Sequence, residues 1–473
     1  MKLTPSGTVA VDSTEQWRDR KRYLWLLGIV VPSLAFVALA MERLTGLGIW
    51  LWIGPIVVLG IVPAIDLLAG LDRSNPPDDL IEALEGDRYY RWITYVFLPV
   101  QYAGLAAGMA AIARSDFTTL DKIGLAITLG CIGGVGINTA HELGHKREPV
   151  ERWLSKIALA QSVYGHFYIE HNRGHHVRVA TPDDPASARM GESVYRFWVR
   201  TIIGSVASAW GLERRRYARR KQHPFRLGNE VLNSWLMSLA LWGALLWWLG
   251  PTIAPYAPLQ AVVAVLLLET VNYLEHYGML RQRVGVGERE RWERVDPSHS
   301  WNSNNIATNV LLYHLQRHSD HHANPTRRYQ ALRDYQESPV LPTGYAGMIL
   351  LALLPPLWRR VMDPRVVAHF DGDISRANLQ PSRRGSLLAA HPAPGSSTPS
   401  TEVLNAPSDT PDLAVDAVTS ARCPGCGYIY VVDRGAPREG FAPGTPWSLV
   451  PDGWCCPDCG VWEKQDFEAV AAD

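Results

Sequence analysis

The chain of 473 residues has no surplus of either charge: 46 Lys and Arg stand against 46 Asp and Glu. That balance offers a phosphate backbone nothing to hold, and no nucleic-acid partner is expected. Cysteine is scarce, six in all. Five of the six crowd between 423 and 459, and Cys131 sits alone in an apolar run, where it reads as a small buried thiol. This distribution excludes a disulfide scaffold. Residues 1–21 have no apolar core and no small-residue cleavage site, so a cleaved signal peptide is not expected and the first apolar run is retained.

What is present in quantity is long apolar runs. Residues 23–41, 46–65, 92–112 and 123–140 each approach the ~20 apolar residues that a helix needs to cross a bilayer, with Asp66 at a margin. Runs at 234–249 and 257–268, the last ending at Glu269, make six. Arg18, Arg20, Lys21 and Arg22 precede the first and place the N-terminus in the cytoplasm by the positive-inside rule; six spans return the chain there. Residues 141–233 and 277–377 are polar and fall on the same side, and residues 348–358, too short to span, are expected at the membrane interface. The expected organisation is a cytoplasmic segment (1–22), a membrane domain (23–377), a Pro/Ser/Ala-rich linker (378–420) and a small metal-stapled domain (421–473). The fold class is an all-α integral membrane bundle of six transmembrane helices, with a small, mostly β and loop domain at the C-terminus.

Three histidine clusters lie in the polar parts: His141-Glu142-Leu143-Gly144-His145, His171-Asn172-Arg173-Gly174-His175-His176 and His318-Ser319-Asp320-His321-His322. Imidazoles three or four residues apart share a helix face, so each cluster can aim two or three nitrogens at one point, where neutral imidazole binds metals such as iron. Eight imidazoles exceed what one ion can hold, so at least two metals are expected. His276, at the cytoplasmic end of the sixth run, is a ninth candidate. His314 is one turn before His318 and a candidate for supporting a ligand; His166, His223, His299, His369 and His391 read as structural or surface residues. His141-Glu142-x-x-His145 also fits a membrane zinc protease, in which two histidines bind zinc and the glutamate is the general base. That reading leaves six clustered histidines without a role.

The three boxes, together with Asn272-Tyr273-Leu274-Glu275-His276-Tyr277-Gly278, resemble the membrane alkane 1-monooxygenases within the wider desaturase/hydroxylase superfamily. The resemblance covers roughly residues 20–375, including Thr181-Pro182-Asp183-Asp184-Pro185-Ala186, Arg189-Met190-Gly191-Glu192-Ser193 and His299-Ser300-Trp301-Asn302-Ser303-Asn304. It implies a six-helix fold in a bacterial inner membrane and two non-haem irons on nine histidines: His141, His145, His171, His175, His176, His276, His318, His321 and His322. It also implies terminal hydroxylation of n-alkanes by O2, with membrane lipid around the site. Hydroxylation or desaturation of another lipid or of an alkylarene is the alternative.

Cys423-Pro424-Gly425-Cys426 and Cys456-Pro457-Asp458-Cys459 form two Cys-x-x-Cys knuckles separated by residues 427–455. This is a strong four-thiolate signal, with the pairs farther apart than the ~15–20 residues usual in zinc ribbons. The intervening Tyr428, Tyr430, Pro443-Gly444-Thr445-Pro446-Trp447 and Trp454 resemble a rubredoxin, in which four cysteines hold one iron that carries one electron; zinc can substitute. Cys455 reads as a packing residue. A rubredoxin beside a di-iron oxygenase implies an NAD(P)H-dependent rubredoxin reductase as partner, with the linker raising the donor's effective concentration. Residues 421–473 carry eight acidic groups against four basic ones, and the basic run 213–221 is a candidate dock.

Metals at the cytoplasmic helix ends require a long alkane to extend into the membrane domain. Val62 and Val58, four and eight residues before Asp66, share its face at successive helical turns. If Asp66 points into the bundle, both line the substrate channel.

Overall fold

The computed structural model describes residues 17–285, 291–394, 419–424, 427–458 and 462–470. Most of the expected N-terminal segment (1–16) and of the expected linker (395–418) lies outside the described residues, as do Cys426 and Cys459.

Among the described residues, six helices are long and apolar enough to cross a membrane: Leu24–Thr45, Gly48–Ala69, Arg88–Arg114, Thr119–Gly144, Glu230–Leu249 and Pro251–His276. The fourth is the axis of the bundle, since 89% of its apolar window is buried against 22–44% for the others. Its small residues permit this. A Cβ added at Gly130 would come within 2.6 Å of Val263 Cβ and 2.8 Å of the Gln260 carbonyl, so the fourth and sixth spans touch backbone to side chain. The other spans turn large apolar side chains outward, among them Leu44, Ile49, Leu67, Leu68, Leu239 and Trp247. Exposure of this kind suits hydrocarbon, not water.

The sixth span is longer than its apolar run, because the helix continues through polar residues that the protein satisfies internally. Tyr164 and Thr201 donate to Glu269 (2.7 and 2.9 Å), and Asn272 donates to the same carboxylate (3.1 Å). The helix therefore ends at His276. The second span contains a π turn at Val57–Ile61, just before Pro63, whose ring nitrogen has no hydrogen to donate.

Residues 348–358 have two faces, with Leu350, Leu354 and Leu357 exposed and the opposite face turned into the protein. They belong to helices Tyr345–Ala352 and Pro355–His369, and Tyr345, Met348, Ala352 and Trp358 are fully buried. Trp358 packs 5.0 Å from the Tyr273 ring and 5.3 Å from Tyr277, so one face of the apolar run is core. The start of the expected linker is also part of the body. Met190 N–H donates to the Asn378 carbonyl (2.7 Å), Gln380 N–H to the Met190 carbonyl (3.0 Å), and Leu387 of helix Arg384–Ala390 is buried.

The C-terminal unit is a three-stranded antiparallel sheet in the order Ile429–Val431, Ser420–Arg422, Glu468–Val470. Three strands this short bury little, and the core is aromatic instead: Tyr430, Trp447 and Trp454, with Phe467 packed against them.

Candidate metal centre

All nine histidines singled out from sequence converge, in two buried groups: His141, His145, His171, His176 and His321 in one, and His175, His276, His318 and His322 in the other. Three elements deliver the first group. His141 and His145 sit one turn apart at the end of the fourth span, as an i,i+4 pair should. The second cluster is divided between the groups. Its backbone makes a π turn over His171–His175, which brings His171 into register with His176 and sends His175 to the other group. Helix His318–Ala323 is divided too, with His318 and His322 one turn apart in the second group and His321 in the first. The expectation that each cluster aims at one point therefore holds for the first cluster alone.

The ring nitrogens face one another at close range. Nε2–Nε2 separations are 2.9 Å for His141–His321, 3.1 Å for His171–His176 and 3.2 Å for His176–His321. In the second group they are 3.2 Å for His276–His318 and 2.9 Å for His318–His322. A single N–H cannot serve three converging nitrogens, and the buried Nε2 atoms of His145 and His175 have no hydrogen-bond partner at all. Spacing near 3 Å is the edge expected between neighbouring ligands around an ion with metal–nitrogen bonds of ~2.1 Å. The donor set thus fits two metal ions. The two groups adjoin, with the His176 and His322 rings 4.4 Å apart. Burial, then the charge of neighbouring imidazoles, holds His145, His171, His176, His318, His321 and His322 well below the usual histidine range. They are the neutral form that ligates.

In the second group one carboxylate stands behind a histidine and another approaches a converging nitrogen. Asp184 Oδ2 lies 2.9 Å from His175 Nδ1 and accepts from Ser187 (2.6 Å). Burial works to raise the Asp184 carboxyl, but His175 and Ser187 hold it below the usual carboxylate range. Such a carboxylate fixes the tautomer and orientation of the imidazole. Glu275 Oε2 is 3.3 Å from His318 Nε2. Neither residue was singled out from sequence; the signal available was Asp184 within residues 181–186 and Glu275 beside His276. Glu142, the general base of the protease reading, is held away from the imidazoles by Lys146 (2.9 Å) and by the Tyr329 N–H (3.2 Å). His314 supports no ligand, because its Nδ1 lies against the Tyr329 carbonyl and its Nε2 against Lys21, each at 2.8 Å.

A narrow apolar cavity lies in the membrane domain near the ends of the helices that carry the imidazoles. Val57, Val58 and Val62 are among its lining residues, as are Asn138 and Leu315, each three residues before a clustered histidine, but no histidine lines it. Asp66 does point inward: it is buried, accepts from the Thr308 N–H (3.0 Å) and is hydrogen-bonded to the Thr308 hydroxyl.

The opposite side of the centre is closed by the C-terminal unit. Val177, next to His176, packs against the buried pair Cys423 and Cys456. Arg219 of the basic run pairs with Glu463 (2.9 Å), Arg291 with Glu468 (3.4 Å) and Arg147 with Glu439 (3.5 Å). A chamber of about 560 Å³ remains between the two parts, reached by His176 and His322 on one side and by Arg422 and Trp462 on the other.

Comparison with known proteins accounts for both parts. The chain is 44% identical over 389 residues to the Alkane 1-monooxygenase 1 of Alcanivorax borkumensis, covering 82% of this chain and 96% of that protein. The chain belongs to the alkane 1-monooxygenase family. It is 43% identical to the Alkane 1-monooxygenase of Pseudomonas putida, covering 80% of this chain and 93% of that one. A more distant similarity, 27% over 66% of this chain and 81% of the relative, is to the xylene/toluene monooxygenase hydroxylase component of Pseudomonas putida. The Fatty acid desaturase family profile matches residues 122–352, which hold the three histidine clusters, and the Rubredoxin profile matches residues 420–467. This alkane 1-monooxygenase is therefore a multi-pass membrane oxidoreductase with its own rubredoxin domain for electron transfer.

Proposed function

We propose that this monooxygenase hydroxylates n-alkanes at the terminal carbon: alkane, O2, two electrons and two protons give a primary alcohol and water. The observation that carries the reading is one arrangement: two adjoining all-imidazole groups, with an apolar cavity on one side and a rubredoxin on the other. His141, His145, His171, His176 and His321 would hold one iron, and His175, His276, His318 and His322 the other. Cys423, Cys426, Cys456 and Cys459 would hold the third. Iron bound to the histidines would supply the activation of O2 that an unreactive C–H bond requires.

The protein's own residues perform the rest. The valine wall at Val57, Val58 and Val62 accepts a hydrocarbon chain and excludes water, and by steering the chain lengthwise presents its end, not its middle, to the imidazoles. Asp184 holds His175 in one orientation. Val177 bridges the four-thiolate site and His176 by direct packing. Electrons come from an NAD(P)H-dependent rubredoxin reductase. The protein lies in the bacterial inner membrane, surrounded by lipid, with both termini and all three metal sites cytoplasmic.

The test is product analysis with iron-loaded protein, reductase and NAD(P)H on octane and hexadecane. Primary alcohols are expected. Exclusive oxidation of xylene or toluene would favour the alkylarene alternative, and peptide cleavage after zinc addition would overturn the class.

A further inference from the structure

The rubredoxin domain spends its acidic surface on the membrane domain. Of the eight acidic residues in 421–473, Glu439, Glu463 and Glu468 pair with arginines of the body. Asp452 shares a cleft with Arg216, Arg219 and Arg220, and Asp466 borders the chamber beside Arg291. The thiolates face the same way. On the body side Cys423 and Cys456 meet Val177, whereas Tyr428, Trp462 and Phe467 cover them from within the domain. Electron transfer falls steeply with distance, so the short way into this iron is the side that the body occupies.

We propose that a reductase must use this same acidic face, so that the body and the reductase exclude each other and the domain leaves its dock to collect each electron. The proposal rests on the electron-transfer reading above. The partner is an NAD(P)H-dependent flavoprotein that presents a cluster of Arg or Lys side chains like that of the body. NAD(P)H gives its two electrons to the flavin, and the flavin passes them singly. Each visit reduces one ferric thiolate centre to ferrous, and two visits supply one alcohol.

The experiment uses the full-length, iron-loaded chain and a purified rubredoxin reductase in anaerobic stopped flow, reading the bleaching of the iron–thiolate absorbance. Arg219→Glu with Arg291→Glu uncovers the acidic face, so reduction should become faster. Glu463→Arg with Glu468→Arg should slow reduction by about tenfold, as loss of charge steering does. Combining all four restores the body's dock with reversed signs. Reoxidation by O2 in the presence of alkane should recover, while reduction stays slow. Retained absorbance in each resting variant confirms that the domain is folded. Wild-type reduction rates in Glu463→Arg with Glu468→Arg, or no acceleration in Arg219→Glu with Arg291→Glu, would overturn the shared face. A wild-type chain that the reductase never bleaches would instead remove the electron-transfer reading itself.

Discussion

Gly174 stands inside the π turn that divides the second histidine cluster, and a methyl group there would overlap the Glu170 carboxylate. That carboxyl is buried, which pushes it up to about 8, and is held by Arg178 (2.8 Å). Gly174→Ala should therefore displace the turn and separate His171 from His176, lowering iron content along with hydroxylation; metal analysis of the purified variant checks this. Replacing any of the nine histidines by Ala, His276 included, should abolish hydroxylation and leave membrane insertion intact, with His223→Ala and His391→Ala unaffected. Asp184→Asn keeps the shape but not the charge, and should cost about 10–100-fold in metal affinity or activity, as loss of a supporting carboxylate does. The ligand candidates were legible because chemistry restricts which side chains occur in such clusters. Their division was not, since a π turn depends on packing around Gly174 and leaves no periodic signature. Asp184 and Glu275 were illegible for a related reason: a single carboxylate has no spacing to give it away.

Among the elements, the spans were legible from apolar length, and their ends were not. Glu269 ends the sixth apolar run, yet Tyr164, Thr201 and Asn272 satisfy its carboxylate and the helix runs on to His276. At 348–358 apolar length alone did not show that one face of the run packs on Tyr273 and Tyr277 while Leu350, Leu354 and Leu357 stay exposed. Valines 58 and 62 line the cavity as the spacing from Asp66 suggested, while the π turn adds Val57 to the same wall. Val58→Trp should fill the far part of that space and shift activity toward shorter alkanes without loss of iron. Product profiles over a series of chain lengths decide this, and an unchanged profile would remove the second span from the pocket. The fourth and sixth spans, which carry His141 and His276, are in close contact at Gly130. Gly130→Ala forces a methyl into Val263 and should destabilise the bundle by about 1–3 kcal/mol, read as earlier thermal inactivation.

For the whole molecule, the rubredoxin domain was legible from two knuckles and their aromatic interval, but its seat on the body depends on surface charges scattered between Arg147 and Arg291, of which the basic run shows only Arg219. Cys426→Ser or Cys459→Ser should lose the iron–thiolate absorbance and reductase-driven turnover, and free rubredoxin should restore the turnover. Turnover without rescue or loss would show that another donor serves the site. The most direct test of the account as a whole is the metal content of the full chain from its native membrane. Two imidazole-bound ions and one four-thiolate ion predict about three irons per chain, falling to about two in Cys426→Ser. A single zinc with no iron would contradict it.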